Sequence, residues 1–349
     1  MRTIRVNAST PYNIMIENGL LDVCGKLCAD SVRSRRVCII TDDTVAALYL
    51  KRAKDSLTSC GFDVLHYVFE HGESSKNAKT LIDILEFLAT NRISRTDCLI
   101  ALGGGVVGDI CGFAASVYMR GIKFIQIPTT LLACVDSSVG GKTAVDLAAG
   151  KNLMGSFHQP SLVIIDPTLL STLTPEIFSD GCAEVIKYGV INDKAFFNSL
   201  FDGVKEHIED VIASCITNKA KLVEEDEFDN GARQLLNLGH TVGHAVELLS
   251  NFEISHGSAV AIGMVIVTKA AVALALCPEE DLARLCSIIS ALGLQASCKF
   301  TANELANVAT ADKKRRGQAI TLVIPHGIGN SQLHTIDVSD LCSFIEKGL

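Results

Sequence analysis

The chain has 349 residues, 48% hydrophobic and 20% charged, with 31 basic side chains against 39 acidic ones and a formal net charge of −8. That length suffices for two domains with separate cores, and the charge offers no field for nucleic acid or an anionic membrane. An anionic ligand must therefore be held by basic groups gathered locally. Thirteen cysteines are scattered, several of them inside apolar runs (Cys38, Cys98, Cys111, Cys134), and no CxxC pair occurs. Buried free thiols in a reducing compartment are expected, not disulfides. The opening Met1-Arg-Thr-Ile-Arg-Val alternates like a strand and lacks the apolar core of a signal peptide. The most apolar stretch, 259–277, approaches a membrane span in length, but Lys269 interrupts it and it is rich in Ala and Gly. A core helix of a soluble, cytoplasmic protein is the expectation.

The first half alternates two patterns. Strand-like apolar runs at 36–40, 63–69, 98–102, 124–127 and 162–165 are separated by amphipathic segments such as 44–59 and 77–89. This predicts βαβ units, a parallel sheet covered by helices on both faces, and ligands at the carboxyl ends of its strands. From about Pro175 helical patterns dominate, at 183–192, 195–225, 232–250, 258–276 and 279–292. A short strand pair near 320–324 and 332–334 precedes a last helix. The expected organisation is an α/β domain over 1–177 and a mainly helical domain over 178–349, without internal repeats.

Strand 98–102 runs into Gly103-Gly104-Gly105-Val106-Val107-Gly108-Asp109. Glycines let a ligand approach the backbone, and the helix that follows favours a phosphate at its N-terminus. The letters satisfy GxGxxG, but they follow a later strand and no matching ribose acid stands downstream, so a plain tight turn is the competing reading. Asp42, and Glu73 with Lys76, lie after other strands, where a nucleotide would be gripped. Further on, Asp136 stands where a P-loop ending in Gly141-Lys142-Thr143 needs its first glycine, which excludes a P-loop nucleotide triphosphatase. Lys142 and Lys151, in glycine-flanked loops, suggest a bound anion, although a loop lysine by itself is usually solvated.

Chemistry concentrates in Asn237-Leu-Gly-His240-Thr-Val-Gly-His244-Ala-Val-Glu247. His240 and His244 share one helix face, and His256 follows after a polar turn, so three imidazoles offer a divalent-metal site. Glu184 sits among small and apolar residues with Lys187 one turn on. The pair is either a surface ion pair or a buried carboxylate that needs a cation and completes the histidine site. Lys219 and Arg233 bracket an acidic turn, and Arg233 and Asn237, four apart, are expected on the helix face leading to His240. Arg233 suits a carboxylate or phosphate through its fork, and a salt bridge to the neighbouring acids is as good a reading. The run Asp312-Lys313-Lys314-Arg315-Arg316 reads as a solvated loop from which one lysine reaches an anion.

Together these segments resemble the 3-dehydroquinate synthase family of sugar phosphate cyclases, over nearly the whole chain and most specifically in 103–109, 135–143, 184–189 and 233–244. The resemblance implies an NAD-binding N-terminal domain, a helical C-terminal domain for metal and substrate, and an active site between them. Zinc or cobalt would be held by Glu184, His240 and His256, which moves His244 from the metal to the substrate. The implied substrate residues are Asp136, Lys142, Asn152, Lys187, Lys219, Arg233, Asn237, His244 and Lys314 of the Lys313–Lys314 pair. Arg120 matches an arginine lent by a neighbouring subunit, which implies a homodimer. NAD contacts are implied at Asp42, Glu73, Ser74, Ser75, Lys76, Gly105, Val106, Val107, Gly108, Asp109, Thr129, Thr130, Lys142, Lys151, Leu169, Leu170, Ser171 and Thr172. Asp146, His71 and Ile177 depart from the family pattern at peripheral positions.

The implied reaction converts 3-deoxy-D-arabino-heptulosonate 7-phosphate to 3-dehydroquinate and phosphate. Transient oxidation by NAD acidifies a neighbouring proton, phosphate is eliminated, NADH reduces the product, and an intramolecular aldol step closes the ring. Three rivals differ in their needs. A metal-dependent polyol dehydrogenase of the glycerol dehydrogenase type does not need so many anion-binding groups. A cyclase for a carboxylate-free sugar phosphate does not need both Lys219 and Arg233. A non-catalytic NAD- or metal-binding protein does not need to keep Asp136 with the whole metal set.

Overall fold

The computed structural model of the chain describes residues 1–311 and 318–349. It divides into two compact units, Met1–Leu173 with Lys219–Phe228, and Thr174–Asn218 with Asp229–Leu349. The chain passes between the units at Thr174 and again at Lys219 and Asp229.

The first unit is built on a seven-stranded sheet in the order β1-β2-β9-β6-β5-β3-β4. Its strands are β1 (Arg2–Val6), β2 (Tyr12–Ile16), β3 (Arg36–Asp42), β4 (Asp63–Phe69), β5 (Cys98–Gly103), β6 (Lys123–Pro128) and β9 (Leu162–Ile165). β1 pairs antiparallel with β2, and every other pairing in this sheet is parallel. Parallel strands covered on both faces read as unbroken apolar runs, and β5 and β9 are buried throughout. The two-residue period of a strand sends alternate side chains into separate cores. Val37, Ile39, Ile100, Leu102, Ile125 and Ile127 pack with residues of the helices Cys24–Ser31 and Lys51–Ser59. Cys38, Ile40, Leu99, Ala101 and Phe124 pack with the helices Ala78–Thr90 and Gly105–Val117. Each such aliphatic side chain contributes about 1.5–3 kcal/mol by leaving water. All thirteen cysteines are free, and most are buried.

One hairpin was not expected. β7 (Lys142–Leu147) and β8 (Gly150–Phe157) pair antiparallel, Lys142 opposite Phe157 and Val145 opposite Met154, where the sequence suggested glycine-flanked loops. β8 is largely exposed and contains Gly150 and Gly155, so it carries little of the apolar signal that betrays a strand.

In the second unit the helix Pro175–Asn192 starts eight residues before the expected 183, with Thr174 as N-cap (its Oγ1 accepts from Ile177 N at 3.4 Å). The expected helix 195–225 is broken into Lys194–Ser199, a 3-10 turn Leu200–Asp202 and the helix Ile208–Glu225, with Gly203 at φ 108° between. The expected helix 232–250 is likewise a 3-10 turn, Ala232–Asn237, followed by the helix His240–Leu249. Gly239, at φ 79°, turns the chain between them. It also touches the helix His256–Ala273 backbone to backbone: a Cβ on Gly263 would lie 2.0 Å from the Gly239 carbonyl oxygen.

The helix His256–Ala273 is long and apolar enough to cross a membrane, with mean hydropathy 1.5, but 72% of it is buried inside the chain. Apolar all round, it behaves as a core helix. The helices Glu279–Ala291 and Ala302–Ala311 follow, then the hairpin β10 (Ala319–Pro325) and β11 (Ser331–Asp337), and the last helix Leu341–Glu346. Lys313 and Lys314 lie outside the described residues.

Candidate metal and nucleotide sites

In the second unit Glu184 lies in the middle of the helix Pro175–Asn192 and is fully buried, as its small apolar neighbours suggested. Lys187, one turn on and 1% exposed, forms an ion pair with its Oε2, so the two are no surface pair. Oε1 lies 3.4 Å from Nε2 of His240 and 3.7 Å from Nε2 of His256. One ligand atom from each of the three residues falls within 4.8 Å of the other two. A tetrahedral zinc with bonds of about 2.0–2.1 Å needs ligand separations of about 3.3 Å, so the donor set and its spacing fit such an ion.

The outer nitrogens are also engaged. His240 Nδ1 lies 3.1 Å from the Leu238 carbonyl oxygen, and His256 Nδ1 lies 3.2 Å from Glu247 Oε2. Outer partners of this kind fix the tautomer of a ligating imidazole. Burial, reinforced by the Lys187 charge and opposed by Glu184, pushes His240 down to about 3. It is therefore neutral, the form a metal takes. Burial also pulls His256 down, but hydrogen bonds to Glu184 and Glu247 outweigh it and raise His256 to about 10. The two imidazoles thus differ, and a cation held at Nε2 would require His256 to give up its proton.

The spacing pairs His240 with His244, but the structure turns His240 to Glu184 and leaves His244 exposed, its ring centroid 5.4 Å from that of His240. His244 groups with Glu247 and His256 in a second cluster. Arg233 is 1% exposed and Asn237 is exposed. Because the chain turns at Gly239, the two do not continue one helix face into His240. Two acids to which the sequence assigned no role stand beside the cluster. Asp180 is one turn before Glu184 and accepts from the backbone of Gly257 at 2.6 Å, while Glu247 is two turns beyond His240. That spacing from a ligand is the signal they carry.

In the first unit the proposed nucleotide residues follow the carboxyl ends of parallel strands. Asp42 ends β3 and accepts from Val45 N at 2.8 Å, and burial raises its pKa. Gly103 ends β5, its carbonyl accepting from Thr129 N at 3.0 Å, and Gly105, Val106, Val107, Gly108 and Asp109 form the first turn and more of the helix Gly105–Val117. A Cβ on Gly108 would lie 2.7 Å from Gln126 Oε1, so the glutamine side chain on β6 would have to shift to admit one. Lys76 Nζ lies 2.6 Å from Asp109 and donates to Asn152 Oδ1 at 2.7 Å. Lys151 lies 3.5 Å from Glu73; Ser74 is exposed and Ser75 buried. Thr130 Oγ1 accepts from Ala133 N at 3.2 Å. After β9, Leu169 and Leu170 are buried, Ser171 Oγ donates to the Thr168 carbonyl, and Thr172 Oγ1 meets the Tyr49 hydroxyl at 2.6 Å.

Lys219 reaches Asp136 twice, at 2.5 Å to Oδ1 and 2.7 Å to the backbone oxygen. Lys142 and Asn152 are exposed on the β7–β8 hairpin, with Asn152 at φ 55° and its N–H donating to Asp146 Oδ1 at 2.7 Å. Asp146 thus has a structural partner, as does His71, 2.8 Å from Asp43, while Ile177 is exposed. Arg120 is exposed on a turn where Met119, Arg120 and Gly121 all have positive φ.

Two solved structures share this architecture. A 2-deoxy-scyllo-inosose synthase complexed with carbaglucose-6-phosphate, NAD+ and Co2+ matches with a TM-score of 0.89 at 25% identity, over 100% of each chain. The 2-epi-5-epi-valiolone synthase of Streptomyces hygroscopicus, with NAD+ and Zn2+ bound, matches with a TM-score of 0.85 at 27% identity, over 96% of this chain and 95% of that one. The fold is that of the sugar phosphate cyclase class. Within that class, residues 66–180 match the family described as 3-dehydroquinate synthase N-terminal, and residues 181–315 match 3-dehydroquinate synthase C-terminal. The 3-dehydroquinate synthase of Streptococcus gordonii is 43% identical over 348 residues, 97% of each chain. The chain belongs to the 3-dehydroquinate synthase family.

Proposed function

We propose that this chain is a carbon–oxygen lyase that turns 3-deoxy-D-arabino-heptulosonate 7-phosphate into 3-dehydroquinate and phosphate, in the shikimate route to aromatic amino acids. The observation that carries the reading is the buried Glu184 carboxylate facing His240 and His256 in a chain of this family. These three residues would hold one zinc or cobalt ion. The first-unit residues from Asp42 to Thr172 described above would hold NAD. When bound, the metal supplies Lewis-acid polarisation of substrate oxygens and NAD supplies a temporary hydride acceptor.

The chain's own residues do the rest by binding and orienting. Lys187 pairs with the Glu184 carboxylate within an apolar helix. Arg233 and Lys219 take the substrate carboxylate, the arginine through its bidentate fork. Asp136 fixes the Lys219 ammonium. Lys142, Asn152, Asn237 and His244 take the phosphate, with Lys314 as a further cation. Holding the substrate at both charged ends is what positions its reacting carbons. Arg120 joins the phosphate set of a second subunit in a homodimer, a role its exposed turn suits. The enzyme acts as a soluble cytoplasmic protein.

Substrate choice tests the reading. With NAD and zinc supplied, phosphate is released from the heptulosonate phosphate and not from a carboxylate-free hexose 6-phosphate. Equal release from both would assign the chain to a different cyclase activity.

A further inference from the structure

His256 is braced from two sides by carboxylates on two other helices. Its Nδ1 lies 3.2 Å from Oε2 of Glu247, whose side chain is 5% exposed on the helix His240–Leu249. Its backbone opens the helix His256–Ala273, whose N-cap Ser255 makes no side-chain cap bond. The cap comes instead from Asp180 on the helix Pro175–Asn192. Its Oδ1 accepts from the N–H of Gly257 at 2.6 Å and of Ser258 at 3.3 Å. The approach is close enough that a Cβ on Gly257 would lie 2.0 Å from the Asp180 carbonyl oxygen.

We infer that Asp180 and Glu247 are positioning residues of the metal centre, Glu247 setting the His256 ring and Asp180 setting its backbone. The inference rests on Glu184, His240 and His256 being the metal ligands. A carboxylate that accepts from Nδ1–H holds the proton on that nitrogen, leaves the Nε2 lone pair for the metal and makes it more basic. Asp180 stands one turn before Glu184 on the same helix, so by capping the first turn of the helix His256–Ala273 it sets the spacing between two ligands. A carboxylate there also meets the positive end of that helix. Together the two acids tie the helices of Glu184, His240 and His256 into one frame.

An ordinary interhelical contact would stabilise the fold without changing how a metal is held, so metal binding discriminates. The full chain is titrated with Co2+ against a competing chelator, and the visible absorption of the bound ion is recorded. Glu247→Leu weakens Co2+ binding by about 10- to 100-fold and alters the spectrum. Glu247→Gln, whose amide oxygen still accepts from Nδ1–H, falls between it and the wild type. Asp180→Ala weakens binding, and Asp180→Asn, which keeps an acceptor oxygen, restores most of it. Melting of the metal-free variants separates general damage from a local effect, and the glutamine and asparagine variants keep the test open if the larger changes do not fold. Wild-type affinity and spectrum in Glu247→Leu, or equal losses in Glu247→Leu and Glu247→Gln, overturn the inference. A wild type that binds no Co2+ overturns the metal assignment itself.

Discussion

The Lys76 ammonium lies 2.6 Å from the Asp109 carboxylate, with the two side chains only 8% and 19% exposed. Burial raises the Asp109 pKa and Lys76 opposes the rise; burial would lower Lys76, but Asp109 and Glu73 outweigh it. Each charge is the other's nearest compensation. Breaking the pair from one side strands the other charge. Lys76→Met is expected to cost about 3–5 kcal/mol in chemical denaturation, and Lys76→Met with Asp109→Asn to recover part of it. A single variant as stable as the wild type would show that the pair does not sustain the first unit.

Gly263 is a second point of tension. Its Cβ position lies 2.0 Å from the Gly239 oxygen, next to His240. Gly263→Ala must push the two histidine-bearing helices apart, costing about 1–3 kcal/mol or more. It should also weaken metal binding, which elemental analysis after dialysis would register. Full metal content together with an unchanged melting temperature would contradict this packing.

Variants of Arg233 and His256 would separate the proposed substrate binding from the proposed metal binding. Arg233→Lys keeps the buried charge and loses the fork, so turnover should fall by about 10²-fold while the metal stays. His256→Ala should lose both metal and turnover. Intact activity in either variant would remove that residue from its proposed role.

How much of this was legible in the sequence follows from what each segment buries. Strand β9 was read at its observed bounds because an unbroken apolar run has few alternatives, and β4 at its bounds although Asp63 and His66 interrupt its apolar pattern. The start of the helix Pro175–Asn192 was missed although Thr174 and Pro175 spell an N-cap, because its first turn is mostly exposed and carries little apolar pattern. The breaks at Gly203 and Gly239 depend on left-handed backbone, which a glycine inside an apolar pattern permits without announcing. The burial of Glu184 was legible from its neighbours. Asp180 and Glu247 were not, because an acid on a helix looks like a surface acid until another helix packs over it.

A metal-dependent lyase of this kind would borrow a hydride and return it. Its most direct test follows phosphate release and NADH together from the heptulosonate phosphate, with NAD far below the substrate concentration, before and after chelation. Phosphate in large excess over NAD, no net NADH, loss of release on chelation and recovery with Zn2+ or Co2+ are the expected results. NADH accumulating in step with product, or phosphate release indifferent to the chelator, would contradict it.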